Sequence, residues 1–504
     1  MRPRQKGVSF VNDWLDNLRA HLAEQLKVWE VPSAGICVVK DGKVLLCDGV
    51  GLKDNESQPA TGDTLYQIAS CSKAFTATAA AMLATEGKLD FDTPIIEYMP
   101  SFRLNDDYAT DHLTVRDFLS HRSGLPRHEY AWYGTGFSRA QLMKNLRDLP
   151  LSAPVRYRFQ YSNFNYLIVG CLIEEISGMP FEEFLTEKIF KPLHMDRTVA
   201  YSALMRKSDD YALPFNRAKD YVMGGVRRIP FYCSPAEDPD SLVGDPTAAA
   251  GCVCTCASDM AKWLQFNLDK GKVDSKQLVR EDLMQLLVTA HIDTGDGGAY
   301  KPQRSMTSYG LGWSLYNYRG HRMAEHGGNI NGFSSSTAFV PDLNLGVFIS
   351  VNMDVALIAD AFVQETVDAV MGATDGNWYQ RMLDNNKAMF DRVKKFYAAF
   401  GGTPVPNTKP SHPIGDYAGV YEAPGYRRVL ITEKDGKLTA DFNHFVVGLK
   451  HFHYDSFATE DTIGELPAGF VITFGANPKG EISTLSATLG SEQGLKPIIF
   501  TKAK

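Results

Sequence analysis

The chain reads as an α+β protein: an antiparallel sheet flanked by helices, followed by a small C-terminal all-β barrel. Three observations predict this. Strand-like segments come from both ends of the first 372 residues and helical patterns fill the middle, so terminal strands must pair in one sheet packed on helices. A stretch rich in Gly and Pro, 401–413, then interrupts the chain. Beyond it the pattern changes to short, evenly spaced strands, as in a small barrel or sandwich. The predicted domains are 1–372, a helix and linker at 373–410, and the barrel at 411–504.

The elements follow in order. Val8 to Leu26 is mixed and amphipathic and predicts a first helix. Ala34–Lys40 and Lys43–Cys47 flank Asp41-Gly42, a strong hairpin turn. Ala74 to Thr85 has no Gly or Pro, is rich in strong helix formers, and predicts a buried helix opening at Ser70. Leu113 to Leu119 predicts a short capped helix ended by Ser123-Gly124-Leu125-Pro126; Asn165 to Ser177 predicts a helix stopped by Gly178. Tyr309-Gly310-Leu311-Gly312-Trp313 opens a β-rich block. In it His326 to Gly332 reads as a glycine-rich turn, Ser334–Val340 and Gly346–Val351 as strands, and Val355–Met371 as a closing helix. Six barrel strands are predicted, at 417–421, 427–432, 438–442, 446–452, 469–474 and 482–487.

Composition excludes several functions. The 504 residues are 44% hydrophobic and 22% charged, an ordinary globular profile. A net charge of -7 argues against nucleic acid, because phosphate binding needs a basic surface. No run has the apolar length to cross a bilayer, and no apolar core follows the basic Met1–Lys6, so the expectation is a cytoplasmic chain without a membrane partner. The eight cysteines sit mostly in apolar surroundings and read as reduced thiols. Cys252-x-Cys254-x-Cys256 lacks the spacing and second pair of a zinc site and reads as small residues on one strand face. His444, His451 and His453 read as surface or packing residues. No metal or cofactor is expected.

Three segments carry chemistry. Ser70-Cys71-Ser72-Lys73 puts a hydroxyl at a helix start with an amine one turn along, a nucleophile beside a base in the positive field of the helix end. Tyr161-Ser162-Asn163 precedes an apolar helix. His326-Gly327-Gly328-Asn329 lies at the edge of the β block, where glycines let backbone N–H groups approach a substrate. A serine hydrolase needs a base, an amide to hold the substrate, and oxyanion donors. Taken singly, Ser-x-x-Lys is a common coincidence, Tyr161 a core tyrosine, Asn163 a helix cap and His326 a turn residue; the ordered set is what points to a site.

Ser70-x-x-Lys73, Tyr161-x-Asn163 and His326-x-Gly328, in that order, resemble the serine β-lactamase and penicillin-binding-protein superfamily. The similarity is to its class C-like branch of D-aminopeptidases, D-peptidases, esterases and β-lactamases. Thr114 to Pro126, Ala257 to Trp263, Tyr309 to Trp313 and Gly332 to Val347 are similar to stretches of that branch, and the resemblance covers residues 10 to 370. It implies a β-lactamase/transpeptidase-like sheet domain and a Ser70 acyl-enzyme. It also implies Lys73 or Tyr161 as base, Asn163 on a substrate carbonyl, and the backbone N–H groups of Ser70 and Asn329 as oxyanion donors. The last block resembles lipocalin-like barrels appended to some members. His326 stands where β-lactamases carry Lys and offers a cation only partly near neutral pH, which turns the expectation from potent β-lactamase activity toward D-amino-acid peptides or amides. A cation about 4 Å from Tyr161, at an effective dielectric near 20, favours the phenolate by about 4 kcal/mol before desolvation opposes it. A neutral Lys73 is the alternative base. Carboxylesterase and weak β-lactamase activity are the alternative reactions, and a non-catalytic ligand sensor or assembly protein is the alternative class. The expected partner is a small-molecule or short-peptide substrate, and the sequence assigns no oligomeric state.

Overall fold

The computed structural model describes residues 7–219, 222–229, 231, 246–295, 298–461, 469–489 and 496–503. Cys233 and the basic residues 1–6 lie outside them.

The first helix is α1 (Gly7–Val28), followed by the hairpin β1 (Ser33–Lys40) and β2 (Lys43–Gly51). The other strands of the sheet are β3 (Ile292–Gly295), β4 (Arg304–Tyr309), β5 (Ser314–Tyr318), β6 (His321–Ile330), β7 (Phe333–Val340) and β8 (Leu345–Val351). Their order is β2-β1-β8-β7-β6-β5-β4-β3, antiparallel throughout, so the first hairpin joins the last strand at mid-sheet, with Val38 opposite Val347. β1, β7 and β8 are buried on both faces, and alternation divides them between two cores. Ala34, Ile36 and Val38 pack with Leu18, Leu22 and Trp29 of the α1 region and with Phe362 of α5 (Ile358–Met371). Cys37 and Val39 join the opposite core, which holds α2 (Ser72–Thr85), α3 (Asn163–Ser177) and α4 (Ala257–Leu268).

α2 is buried on every side because its alanines let neighbours close in, and Phe75 stacks on Trp263 of α4 at 3.9 Å. α3 stops at Gly178, whose φ of +67° favours glycine. Two expectations change. Ser70 is not the first residue of an α-helix but the middle of a 3-10 turn, Ala69–Cys71, with α2 opening at Ser72. His326 to Ile330 is not a turn but the end of β6; the chain reverses at Asn331-Gly332. Glycine there serves strand packing, as the site shows. Cys252, Cys254 and Cys256 are buried, but only Cys254 lies in a strand, the two-residue Cys254–Thr255.

α6 (Trp378–Gly401) leads to a closed barrel of eight strands: β9 (Gly419–Glu422), β10 (Val429–Lys434), β11 (Lys437–Phe442), β12 (Phe445–His453), β13 (Ser456–Thr459), β14 (Val471–Ala476), β15 (Ile482–Ala487) and β16 (Ile498–Lys502). The sequence reading missed β13 and β16, the first being too short to show alternation. Its interior is a small apolar cavity lined by Val429, Phe442, Leu449, Ile472 and Phe500 among others. The β11–β12 turn docks on the sheet domain: Asn443 Nδ2 donates to Tyr130 O and Tyr133 O, both at 2.8 Å, and Phe445 stacks on Tyr133. His444 sits in that turn; His451 bonds Tyr454 O and His453 accepts from the Val405 N–H. Among the described residues no helix is long and apolar enough to cross a membrane.

Candidate active site

Ser70 is presented by a strained turn. Ala69 has φ +47°, a left-handed conformation that costs a non-glycine residue on the order of 1–2 kcal/mol. Bonds from three sides hold it. Ile68 N donates to Val253 O at 3.0 Å, Ser335 Oγ donates to Ile68 O at 2.7 Å, and Cys71 Sγ donates to His326 O at 3.0 Å. β6 presses on the same turn. A Cβ on Gly328 would lie 2.2 Å from Ile68 O and 3.1 Å from Ala69 Cβ, so only glycine fits. β5 pairs with β6 only as far as Glu325, which leaves 326–330 paired with β7 on one edge and open on the other.

Lys73 is fully buried, and its Nζ has three neighbours: Ser70 Oγ at 3.0 Å, Asn163 Oδ1 at 2.9 Å and Ala250 O at 2.7 Å. Two of these are carbonyl oxygens and can only accept. Burial, then Arg127, holds the amine well below its usual pKa. A neutral amine has two N–H bonds and one lone pair. If the amine is deprotonated, its two N–H bonds satisfy Asn163 and Ala250 and its lone pair is left for the Ser70 hydroxyl. Asn163 keeps its Nδ2, which makes no hydrogen bond among the described residues.

Tyr161 lies over the same amine, its ring centroid 4.7 Å from Lys73 Nζ. Burial pushes its pKa up, while Ser70 and Arg127 pull it down by less. A cation beside Tyr161 would by itself lower this phenol toward neutrality. Burial wins instead, and Tyr161 is a phenol with a proton to give. His326 also differs from expectation. It is 4% exposed, its Nε2 lies 2.8 Å from Tyr309 OH and its Nδ1 2.6 Å from Gly327 O. Burial, then Lys73, drops its pKa to about 3. No partial cation stands at that position; His326 is a neutral brace, while Gly327 and Asn329 beside it are exposed. The Asn329 side chain is occupied, accepting from Val355 N and Ser334 Oγ.

Residues that the sequence reading assigned no role complete the arrangement. His121 has φ +57°, and its ring lies 4.3 Å from that of Tyr161. Its Nδ1 accepts from Ser162 N and Asn165 Nδ2, both at 3.2 Å. Ser162 Oγ donates to Pro126 O and Ser123 Oγ to Asn165 Oδ1. The Ser-Gly-Leu-Pro stretch thus fixes the Tyr-Ser-Asn stretch. Arg127 lies 5.6 Å from the Tyr161 ring centroid and pairs with Glu129 through two 3.0 Å bonds. No spacing rule flags these residues, because their relation to Tyr161 exists only after folding.

An antiparallel sheet with helices on both faces, and a serine–lysine–tyrosine cluster between sheet and helices, define the serine β-lactamase/transpeptidase class. The comparisons agree. The family model described as Beta-lactamase matches residues 18–361, and the chain belongs to that family, a branch of the serine β-lactamase superfamily of hydrolases. A second model, a domain of unknown function (DUF3471), matches residues 403–502. The unguisins hydrolase ungD' of Aspergillus campestris is 29% identical over 436 residues, 83% of this chain and 78% of the relative. Protein flp of Staphylococcus aureus is 25% identical over 348 residues, 68% and 64% of the two chains. The octameric penicillin-binding protein homologue from Pyrococcus abyssi shares the fold at a TM-score of 0.63 and 20% identity, over 97% of this chain and 100% of that one. A class C β-lactamase from Rhodobacter sphaeroides shares it at 0.55 and 21%, over 71% and 99%.

Proposed function

We propose that the chain hydrolyses amide or ester bonds through an acyl-enzyme on Ser70, with D-amino-acid-containing peptides or amides as its first substrate class. The observation that carries this reading is the buried Lys73 amine, 3.0 Å from Ser70 Oγ, bonded to two carbonyl oxygens and held well below its usual pKa by burial, which favours the neutral form that can take the Ser70 proton. Ser70 attacks the carbonyl as Lys73 takes its proton. Tyr161, still protonated, passes its proton to the leaving group and recovers one from the Lys73 ammonium, so both groups are reset for the second step. The open edge of β6 and the N–H of Ser70 receive the oxyanion, with the Asn329 N–H as second donor. Asn163 Nδ2 donates to a second substrate carbonyl. Water then attacks the acyl-enzyme by the same route. Two relatives named as unguisins hydrolases support hydrolysis. A carboxylate-bearing β-lactam would meet no cation at His326, which places β-lactamase activity behind peptide, amide and carboxylester hydrolysis.

The test is a panel of D-amino-acid p-nitroanilides, p-nitrophenyl esters and a chromogenic cephalosporin, with fluorophosphonate labelling alongside. Ser70→Ala folds, loses turnover and takes no label. Lys73→Met and Tyr161→Phe each lose at least about two orders of magnitude in kcat/KM, the scale for removing acid–base help. A wild type that turns over nothing and takes no label would refute the reading in favour of a ligand sensor.

A further inference from the structure

The barrel touches the sheet domain beside the Arg127–Glu129 ion pair, which faces the cluster. Arg127 and Glu129 flank His128, which has φ +42° and is 5% exposed. His128 Nε2 lies 2.9 Å from Pro150 O, a carbonyl that can only accept, so Nε2 carries the proton. Nδ1 is then an acceptor, and its partner is the hydroxyl of Tyr426, at 2.8 Å, from the barrel's β9–β10 connection. Tyr426 is itself buried, against the ring of Phe500. Beside it, a Cβ on Gly425 would lie 2.7 Å from Leu149, so the connection is tightly seated.

We propose that Tyr426 is a positioning residue: by bonding His128 it holds the Arg127–Glu129 pair over Tyr161, so that the barrel sets the charge field in which Ser70 is activated. This deepens the serine-hydrolase reading and rests on it. The field has few sources. Lys73 is faced by Arg127, Glu129 and the thiols of Cys71 and Cys252. Tyr161 is faced by Ser70, Arg127, Cys71 and Glu129. His121 and His326 are held neutral by burial, and the buried phenols Tyr166 and Tyr309 keep their protons. Among the described residues, Arg127 and Glu129 are therefore the charged side chains acting on the pair, and Arg127 is the stronger on Lys73 and Tyr161. Its positive charge opposes protonation of Lys73 and keeps the base ready.

Losing the Tyr426 bond lets Arg127 drift from Tyr161 and raises the pH at which Lys73 deprotonates. The readout is the pH dependence of the rate at which a fluorophosphonate labels Ser70, which needs no native substrate. In Tyr426→Phe the ring packing stays, and the acid limb moves up by about half a pH unit or more, a fraction of the roughly one to three units that a charge in contact exerts, since Arg127 is displaced and not removed. Arg127→Met moves it the same way, and adding Tyr426→Phe to Arg127→Met gives no further shift. His128→Gln, which keeps an N–H for Pro150 O, serves if Tyr426→Phe does not fold, and gives the same shift. A wild-type midpoint in Tyr426→Phe, or additive shifts in the double variant, overturns the proposal while leaving the Ser70 reading intact. Label that persists in Ser70→Ala overturns both.

Discussion

Gly328→Ala is a sharp test of how β6 and the Ser70 turn fit together. The new Cβ would sit 2.2 Å from Ile68 O, 2.5 Å from Ser335 Oγ and 3.1 Å from Ala69 Cβ. The shortest ordinary C···O contact is about 3.3 Å, so strand and turn must part by about 1 Å. Ser335 can rotate only by giving up its bond to Ile68 O, and the Ile68 backbone is anchored through its own N–H on Val253 O. The resulting overpacking costs about 1–3 kcal/mol of stability. A displacement of about 1 Å between nucleophile and oxyanion donors costs on the order of 10²-fold in rate. Gly327→Ala is the control: its Cβ meets nothing nearer than Ser335 O at 3.8 Å, and its stability stays within about 0.5 kcal/mol of wild type. Urea unfolding and fluorophosphonate labelling rates measure both. Wild-type stability and labelling in Gly328→Ala would refute the close-approach argument.

Three further outcomes are expected. Asp117 is fully buried and accepts from Arg122, Arg156 and Thr114. Burial alone would raise its pKa, but these bonds hold it below the usual carboxylate range, so its stabilisation is present above about pH 4 and lost as pH falls through the folded value. Asp117→Asn leaves two arginines facing a neutral amide, costs about 3–5 kcal/mol, and shows no acid-side loss; an unchanged urea midpoint at pH 7 would contradict this. Asp360 shows the opposite sign. Burial, then Glu325, lifts its carboxyl well above the ordinary range, so the folded state holds a proton that the unfolded chain has released, and wild-type stability declines as pH rises from about 4 through the folded value. Asp360→Asn flattens that slope between pH 5 and 8, and an identical slope in the variant counts against it. Asn443→Ala removes two bonds from the carbonyls of Tyr130 and Tyr133, costs about 1–3 kcal/mol, and raises hydrogen exchange in the 130–137 segment; unaltered exchange there would show that the docking contact is not held by this side chain.

Much of the fold is legible in the sequence where the pattern is local. The Asp41-Gly42 hairpin, the alanine-rich helix and the stop at Gly178 each follow from side chains acting on their own backbone. The Ser70–Lys73 spacing also reads through, because three residues on one turn bring both groups together even when the first turn is 3-10. What stays hidden depends on distant partners. The left-handed Ala69 is held by Val253 and Ser335, neither of which its own neighbourhood announces. Gly327 and Gly328 read as a turn because the purpose of Gly328, clearance for Ile68 O, lies 260 residues away (328 − 68). Burial is the largest influence on the Tyr161, Lys73 and His326 pKa values, and pair distance alone gives too much weight to charge.

The pairing of Val38 with Val347 sets a timetable for biosynthesis. Those residues are 309 positions apart (347 − 38). At about 5–20 residues per second, a ribosome needs roughly 15–60 s to deliver the partner after the hairpin has emerged. Through that interval an apolar strand with an unmet edge awaits a mate, the condition under which strands pair with strangers. Yield in a host cell should therefore respond to chaperone supply and to slower growth temperature more than to any change at Ser70.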